Sequence, residues 1–317
     1  MTASETQLRG PNTKIRQRHL SNRAIVNLFI WPTLLLLIAM NVFPLFYSLY
    51  LGFTNYSAIA GKAPVWVAFQ NFNNILNDKN LWQYFATTGR YALMTVSMQT
   101  LVGFLLAMLV REKFKGGGIL TTLILIPMMI SPVVVGMFWK LMYNPTFGFF
   151  NAILGFSDPS KSPDWLASRF AGHPTPGLAL WAIVIADVWM WAPFVMLLVL
   201  SGLKAIPDYL YEAAAVDRAS SWFQFWRITL PQVAPLLLIA VLFRTIEAFK
   251  SFDLVMGMTG GGPGVQTELI SVDLYRIAFL GQFRTGLGSA LAYIILIIII
   301  AVSNLYIKYL NQSRGEG

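Results

Sequence analysis

The chain has 317 residues, 56% of them hydrophobic and 12% charged, with a net charge of +9. Soluble domains carry about 25% charged residues, so half the usual surface charge is missing and an ordinary cytosolic enzyme is excluded. The mean hydropathy is +0.60, and the sequence offers six apolar stretches of the roughly 20 residues that a bilayer crossing takes. The expectation is an all-α membrane protein with six transmembrane helices.

Cysteine is absent, which removes disulfides, thiolate metal sites and cysteine nucleophiles. The two histidines, His19 and His173, lie far apart and offer no metal site. Basic cytoplasmic loops explain the positive charge better than a nucleic-acid partner does.

In chain order, residues 1–23 are polar, hold five basic side chains and read as a cytoplasmic arm. Residues 24–51 form the first span. Ala58-Ile59-Ala60 mimics a signal-peptide cleavage site, but the apolar run is far longer than the roughly 7–15 residues of a signal-peptide core. The second span is 88–110, ended by a basic, glycine-rich segment at 111–118. The third, 119–141, contains Pro127 and Pro132, which membrane helices tolerate where neighbours satisfy the freed carbonyls. A proline-rich loop at 142–177 precedes the fourth span, 178–203. A polar segment at about 204–231 leads to the fifth, 232–256, and a glycine-rich loop leads to the sixth, 287–308. The six-span domain thus covers 24–310, with a short cytoplasmic tail at 311–317.

With both termini inside, the inner segments carry 13 Lys and Arg and the outer ones 6. The positive-inside bias places both termini in the cytoplasm.

No residue set has the pattern of an active site. The glycines at 260–262 run into Pro263 rather than a lysine, so there is no phosphate-binding loop. No Ser-His-Asp set can be built around His19 or His173. Any nucleotide energy must be harvested by another chain.

The informative polar stretch runs from Ile206-Pro207-Asp208 through Glu212-Ala213-Ala214-Ala215 to Asp217-Arg218-Ala219. Asp208 and Glu212 suit the positive end of a short helix starting after Pro207, and the alanines give it a smooth face. Two readings fit these residues: an amphipathic helix lying on the membrane surface, or a docking helix buried by a partner.

Glu212-Ala213-Ala214, Asp217, Ala219 and then Ile228-Thr229-Leu230-Pro231 resemble the EAA motif of ABC importer permeases, which reads E-A-A-x-x-x-G and continues to a hydrophobic residue and L-P. Leu203-Lys204-Ala205-Ile206-Pro207, Thr259-Gly260-Gly261-Gly262-Pro263, Thr267, Tyr275 and Ala278-Phe279 resemble the carbohydrate-uptake branch of these binding-protein-dependent permeases. The likeness covers roughly residues 25–310 in order and spacing. It implies a type I ABC importer permease fold in the bacterial inner membrane. It also implies a second homologous permease, a cytoplasmic ATPase dimer holding ATP and Mg, and an extracytoplasmic solute-binding protein. This chain itself would hold no cofactor. Glu212, Ala213, Ala214, Asp217 and Arg218 would form the coupling segment against the ATPase. Arg218 stands where the family has glycine, and arginine disfavours the positive-φ turn that glycine permits.

The fifth span carries Arg244, Glu247, Lys250 and Asp253 at intervals of three, with alternating sign. The uncharged run before Arg244 is twelve residues, or about 18 Å at 1.5 Å per residue, short of a bilayer core of about 30 Å. The charged half must face protein or water. One reading is a self-neutralised ladder, since i,i+3 neighbours can pair; the other is a solute path. The family resemblance favours the path and maps its contact region onto Arg244, Ala248 and Ser251, although Ala248 cannot hydrogen-bond. Asp187 and Trp191 in the fourth span are further candidates, because a carboxylate inside a span marks a site and an aromatic face suits sugar C–H surfaces.

The expected solute is a carbohydrate. The cations Arg244 and Lys250 keep an anionic alternative open, a glycerol phosphate or a sulfosugar. A stand-alone secondary transporter is a third reading, but no repeated half is visible. The loop at 259–264 reads as too flexible for a helix, either a plain connection or a docking lip.

Overall fold

A computed structural model describes residues 21–59, 61, 63–112, 114–156, 158, 161–281 and 283–313. Most of the N-terminal arm and the last four residues lie outside the described set. The chain divides into two compact units, residues 1–48 and 49–317.

The first unit is built from α1 (Asn22–Leu37), a single π turn at Ile38–Val42 and most of α2 (Phe43–Gly52). Its side chains at 26–47 are exposed although they are almost wholly apolar, as a lipid-facing helix requires.

The second unit continues with α3 (Gln70–Asn77) and α4 (Lys79–Val110). Asp78 caps α4 by accepting from the Asn80 N–H at 2.9 Å. The helix therefore begins nine residues before the expected span, in a stretch whose polar side chains hide it from a hydropathy reading. Next come α5 (Gly117–Leu125), a 3₁₀ turn at Ile126–Met129, and α6 (Pro132–Met142).

The expected third span is not one helix. The two halves meet at an angle of 100°, and the cause is local. Pro132 has no N–H and crowds the residue before it, which is pushed toward extended backbone. Ser131 accordingly sits at φ −61°, ψ 135° and Ile130 at φ −88°, ψ 143°. Five helices are therefore long and apolar enough to cross a bilayer, and six crossings result if the bent pair counts as one.

Residues 142–177 are more than a loop. Helix α7 (Phe149–Ile153) and three two-residue strands, β1 (Pro163–Asp164), β2 (Arg169–Phe170) and β3 (His173–Pro174), form an antiparallel cap. Tyr143 and Phe150 stack at 4.8 Å between ring centres, and Trp165 donates to Asn151 Oδ1 at 2.9 Å.

Helix α8 (Leu178–Ala205) is the most buried crossing, followed by α9 (Asp208–Val216) and α10 (Ser221–Gln224). A π turn at Phe225–Thr229 joins α10 to α11 (Leu230–Phe249), and α12 (Asp253–Met258), α13 (Ile270–Phe279) and α14 (Thr285–Ser313) complete the chain. The fifth crossing thus spans Ser221–Phe249, not 232–256. It starts early because Ser220 caps it, accepting from Phe223 N–H at 3.2 Å, and because the helix continues through the π turn at Phe225–Thr229 into α11 past Pro231, a local adjustment of the kind that lets membrane helices carry proline. The crossing stops at Phe249, where three non-helical residues, Lys250 to Phe252, separate it from α12. α14 runs to Ser313, three residues into the expected tail.

Helices α4 and α8 form the central seam. Buried side chains cluster in three places. One lies where α4, α6, α8 and α12 meet. A second lies between α4, α8 and α11, and a third where α3, α13 and α14 pack.

Candidate functional site

The break after α11 positions the site. Non-helical backbone at membrane depth persists only where protein or water satisfies it; here Ser271 donates to the Ser251 carbonyl, and the Lys250 and Ser251 N–H groups donate to Glu247 O and Ala248 O. The Ser251 hydroxyl is in turn held by the Tyr91 hydroxyl of α4 at 3.0 Å.

Beside the break lies a cavity of about 110 Å³ lined by Asp187, Trp191, Arg244, Glu247, Lys250 and Ser251, with Pro132, Phe252, Asp253 and Leu254. All six residues named from the sequence as a candidate path converge on it. Ala248 does not; it is buried in the packing between α11 and its neighbours.

The charge ladder is split between partners. Glu247 and Lys250 pair at 2.7 Å with both side chains about half exposed. Arg244 turns the other way, toward Asp187 on α8, with 3.7 Å between Nη2 and Oδ2 and both side chains 5% exposed. Asp253 belongs to α12, beyond the break, and is exposed. Of the two readings, the self-neutralised ladder holds only in part: Glu247 and Lys250 pair at i,i+3, whereas the helix ends at Phe249 and Arg244 finds its carboxylate on another helix.

Gln99 of α4 completes the buried set. Its Nε2 donates to Asp187 Oδ2 at 2.5 Å, and its Oε1 accepts from Arg244 Nε at 2.8 Å. The Arg244 guanidinium lies 4.5 Å from the centre of the Trp191 ring, a cation–π distance. Four elements of one network thus come from α4, α8 and α11. Sequence reasoning missed Gln99 and Tyr91, because an uncharged polar side chain in a long helix leaves no periodic or charge signal.

A second, apolar cleft of about 290 Å³ adjoins the first and shares Trp191, Arg244 and Glu247, with Phe194 and Phe243. Together the two offer an aromatic face with hydrogen-bond donors and acceptors. Among the described residues, no group of His, Cys, Asp and Glu could hold a metal ion.

The coupling candidates lie on and just after α9. Glu212, Ala213, Asp217 and Arg218 are exposed, while Ala214 is buried against the chain's own helices. The alanines therefore split between an inner and an outer face rather than forming one smooth surface. Arg218 has φ +56°, so the left-handed turn of the family's glycine is kept despite the arginine. The hydrogen bonds explain it: Arg218 N–H donates to Ala215 O at 3.0 Å and Ala219 N–H to Ala214 O at 2.9 Å. That pair of bonds closes a helix end in the Schellman manner and outweighs the backbone penalty. The penalty for a side chain in this region is about 1–2 kcal/mol, and glycine's added freedom when unfolded returns part of the gain. Arg218→Gly is expected to stabilise the protein by roughly 0.5–1 kcal/mol, seen as a modest rise in Tm.

The segment 259–264 is a loop and not a helix, as expected, but hydrogen bonds hold it in place. The Thr259 and Thr267 hydroxyls bond at 2.7 Å, Thr267 also donates to Gly262 O, and Arg276 donates to Gly260 O. Arg276 is ion-paired to the buried Glu268 at 2.9 Å.

Nearby, Asp273 lies outside the candidate spans and keeps a buried Oδ2 without a hydrogen-bond partner. Burial pushes its pKa up to about 6; Arg276 opposes the rise and Asp78 adds to it. The folded state therefore holds this proton more tightly than the unfolded chain, whose carboxyl titrates near 3.8. The contribution to stability is greatest below that value and falls as pH rises through about 6. Asp273→Asn is expected to flatten this slope in a Tm series from acid to neutral pH.

This geometry defines a multi-span helical protein with a polar cavity at a broken helix, a class of integral membrane transporters. The chain belongs to the binding-protein-dependent transport system inner membrane components, whose family model matches residues 99–315, and is a permease subunit of an ABC importer in the inner membrane. It is 34% identical over 281 residues to the trehalose/maltose transport system permease protein MalF of Thermococcus litoralis, covering 89% of this chain and 92% of that one. It is 30% identical over 287 residues to the probable starch degradation products transport system permease protein AmyD of Thermoanaerobacterium thermosulfurigenes, covering 90% and 94%. In fold it matches a chain from the crystal structure of a bacterial ABC transporter involved in import of the acidic polysaccharide alginate, with a TM-score of 0.77 at 18% identity over 91% and 95% of the two chains.

Proposed function

We propose that this permease forms, with a second homologous permease, the import path of a neutral sugar or short oligosaccharide delivered by an extracytoplasmic binding protein. A cytoplasmic ATPase dimer holding ATP and Mg drives it through Glu212, Ala213, Ala214, Asp217 and Arg218, and both termini face the cytoplasm. The observation that carries the neutral-solute reading is that both cations at the cavity are already paired within the chain, Arg244 with Asp187 and Lys250 with Glu247. A phosphate or sulfonate would have to displace a carboxylate, whereas hydroxyl groups can join these pairs by hydrogen bonds while a sugar face packs on Trp191. The names of the relatives, trehalose/maltose and starch degradation products, agree with this class.

The second permease rests on the resemblance to the carbohydrate-uptake branch; the polar cavity of about 110 Å³ opens beside an apolar cleft that another subunit would close.

The test is purification of the tagged permease in mild detergent, followed by reconstitution of what comes with it. Expected are a stoichiometric P-loop ATPase, a second permease, and ATP-dependent uptake of trehalose or maltose in preference to glycerol phosphate. Lys250→Ala with Ser251→Ala is expected to lower that uptake several-fold; Lys250→Ala alone leaves Tm unchanged because its side chain is half exposed, whereas Ser251→Ala lowers Tm modestly by taking the partner of the buried Tyr91 hydroxyl. Preference for glycerol phosphate would overturn the neutral-solute reading; uptake by the chain alone would overturn the importer assembly.

A further inference from the structure

Tyr211 sits where three elements of the permease meet, immediately before Glu212. Its hydroxyl lies 2.8 Å from Thr229 Oγ1, in the π turn that feeds α11. Its ring lies 4.6 Å from the guanidinium carbon of Arg111, the residue that follows the last turn of α4. One side chain on α9 thus touches the root of α11 and the end of α4. These are the helices that carry Arg244 and Gln99 to the cavity.

The contacts differ from the apolar packing around them. Leu210 and Ile228 press on the cluster of Val110, Leu203, Ile206 and Val233, but such contacts are non-directional and let helices slide. A hydrogen bond to Thr229, which is 3% exposed, fixes one register. The π turn at Phe225–Thr229 is a compliant element, since its i→i+5 bonds are an interruption of α geometry often found at functional sites. Displacement of α9 would be absorbed there unless something clasps the turn.

We propose that Tyr211 is the positioning residue that makes α9, α4 and α11 move as one body when the ATPase displaces the coupling segment. The inference rests on the coupling reading of residues 204–231. The Tyr211 hydroxyl transmits to α11 through Thr229, and the ring transmits to α4 through Arg111.

The experiment uses the complete importer in proteoliposomes with trehalose as probe, reading trehalose imported per ATP hydrolysed and the amount of ATPase bound. Tyr211→Phe and Thr229→Val each remove the same bond, and each is expected to cut import per ATP several-fold with ATPase binding unchanged. Their combination is expected to be no worse than either alone, and Thr229→Ser, which keeps the hydroxyl, to restore coupling. A wild-type complex that couples while Tyr211→Phe couples equally well overturns this inference alone. So does loss of ATPase from Tyr211→Phe, which would make the residue a docking contact. A wild-type permease that binds no ATPase overturns the coupling reading and this inference with it.

Discussion

Asp187→Ala is expected to destabilise the permease by about 3–5 kcal/mol, the usual cost of stripping one partner from a buried ion pair. The substitution leaves the Arg244 guanidinium 5% exposed beside Gln99 and the Trp191 ring. Neither neutralises its charge, and the Glu247 carboxylate is taken by Lys250. Arg244→Ala is expected to cost a similar amount, because the carboxylate is then left with neutral neighbours, Gln99 and Tyr91. A double change to apolar side chains of similar volume, Asp187→Leu with Arg244→Met, removes both charges at once and is expected to recover part of the lost Tm: neither desolvation penalty remains, but the buried Gln99 amide loses both side-chain partners. Thermal unfolding in detergent distinguishes these outcomes. A Tm for Asp187→Ala within a degree of wild type would mean that water reaches the pair, and that the two residues belong to the open path rather than to its wall. The double variant is also expected to fold but not to transport, because Trp191 loses the guanidinium that holds its ring at the cavity edge.

The parts of this arrangement that were legible in the sequence share one trait: they are costly. A charge inside a span is expensive, so Asp187, Arg244, Glu247 and Lys250 announced themselves, and all four line the cavity. The partners of those charges did not, because partnership is set by helix packing and not by spacing. Arg244 and Glu247 sit three apart and look like a pair, yet they point to different neighbours. Gln99 is 145 residues from Arg244, and no local pattern links them.

Neither break is legible in the sequence. Pro132 reads as tolerated within one span at 119–141, and the 100° turn there depends on whether neighbours fill the gap that a proline opens. The interruption at Lys250–Phe252 contains neither proline nor glycine. It is maintained by Tyr91 and Ser271 from other helices, so sequence alone extends the helix through it. Arg218 shows the reverse case. Residue identity argued against a left-handed turn, and two hydrogen bonds at the helix end imposed it.

The central seam provides the sharpest contrast between two residues of one type. Gly103 and Gly89 both lie in α4, and an alanine scan is expected to move them in opposite directions. A β-carbon at Gly103 would sit 2.6 Å from Ala192 O, 2.6 Å from Val195 Cβ and 3.0 Å from Met196 N. Two of these are backbone atoms of α8 and cannot swing aside, so the helices must separate. Overpacking of this kind costs about 1–3 kcal/mol, and small residues at helix crossings are what permit such close approach in membranes. A β-carbon at Gly89 would meet nothing within 4 Å, and alanine is the better helix former by about 1 kcal/mol. Gly103→Ala is therefore expected to lower Tm and Gly89→Ala to raise it. Transport adds a second readout, because Gln99 lies one helical turn before Gly103 on the same face. Parting α4 from α8 there lengthens the 2.5 Å contact between Gln99 and Asp187 and unsettles the network beside the cavity. Gly103→Ala is expected to lower trehalose uptake several-fold while Gly89→Ala leaves it unchanged; equal Tm and uptake for the two variants would mean that α4 and α8 do not pack this closely in the working transporter.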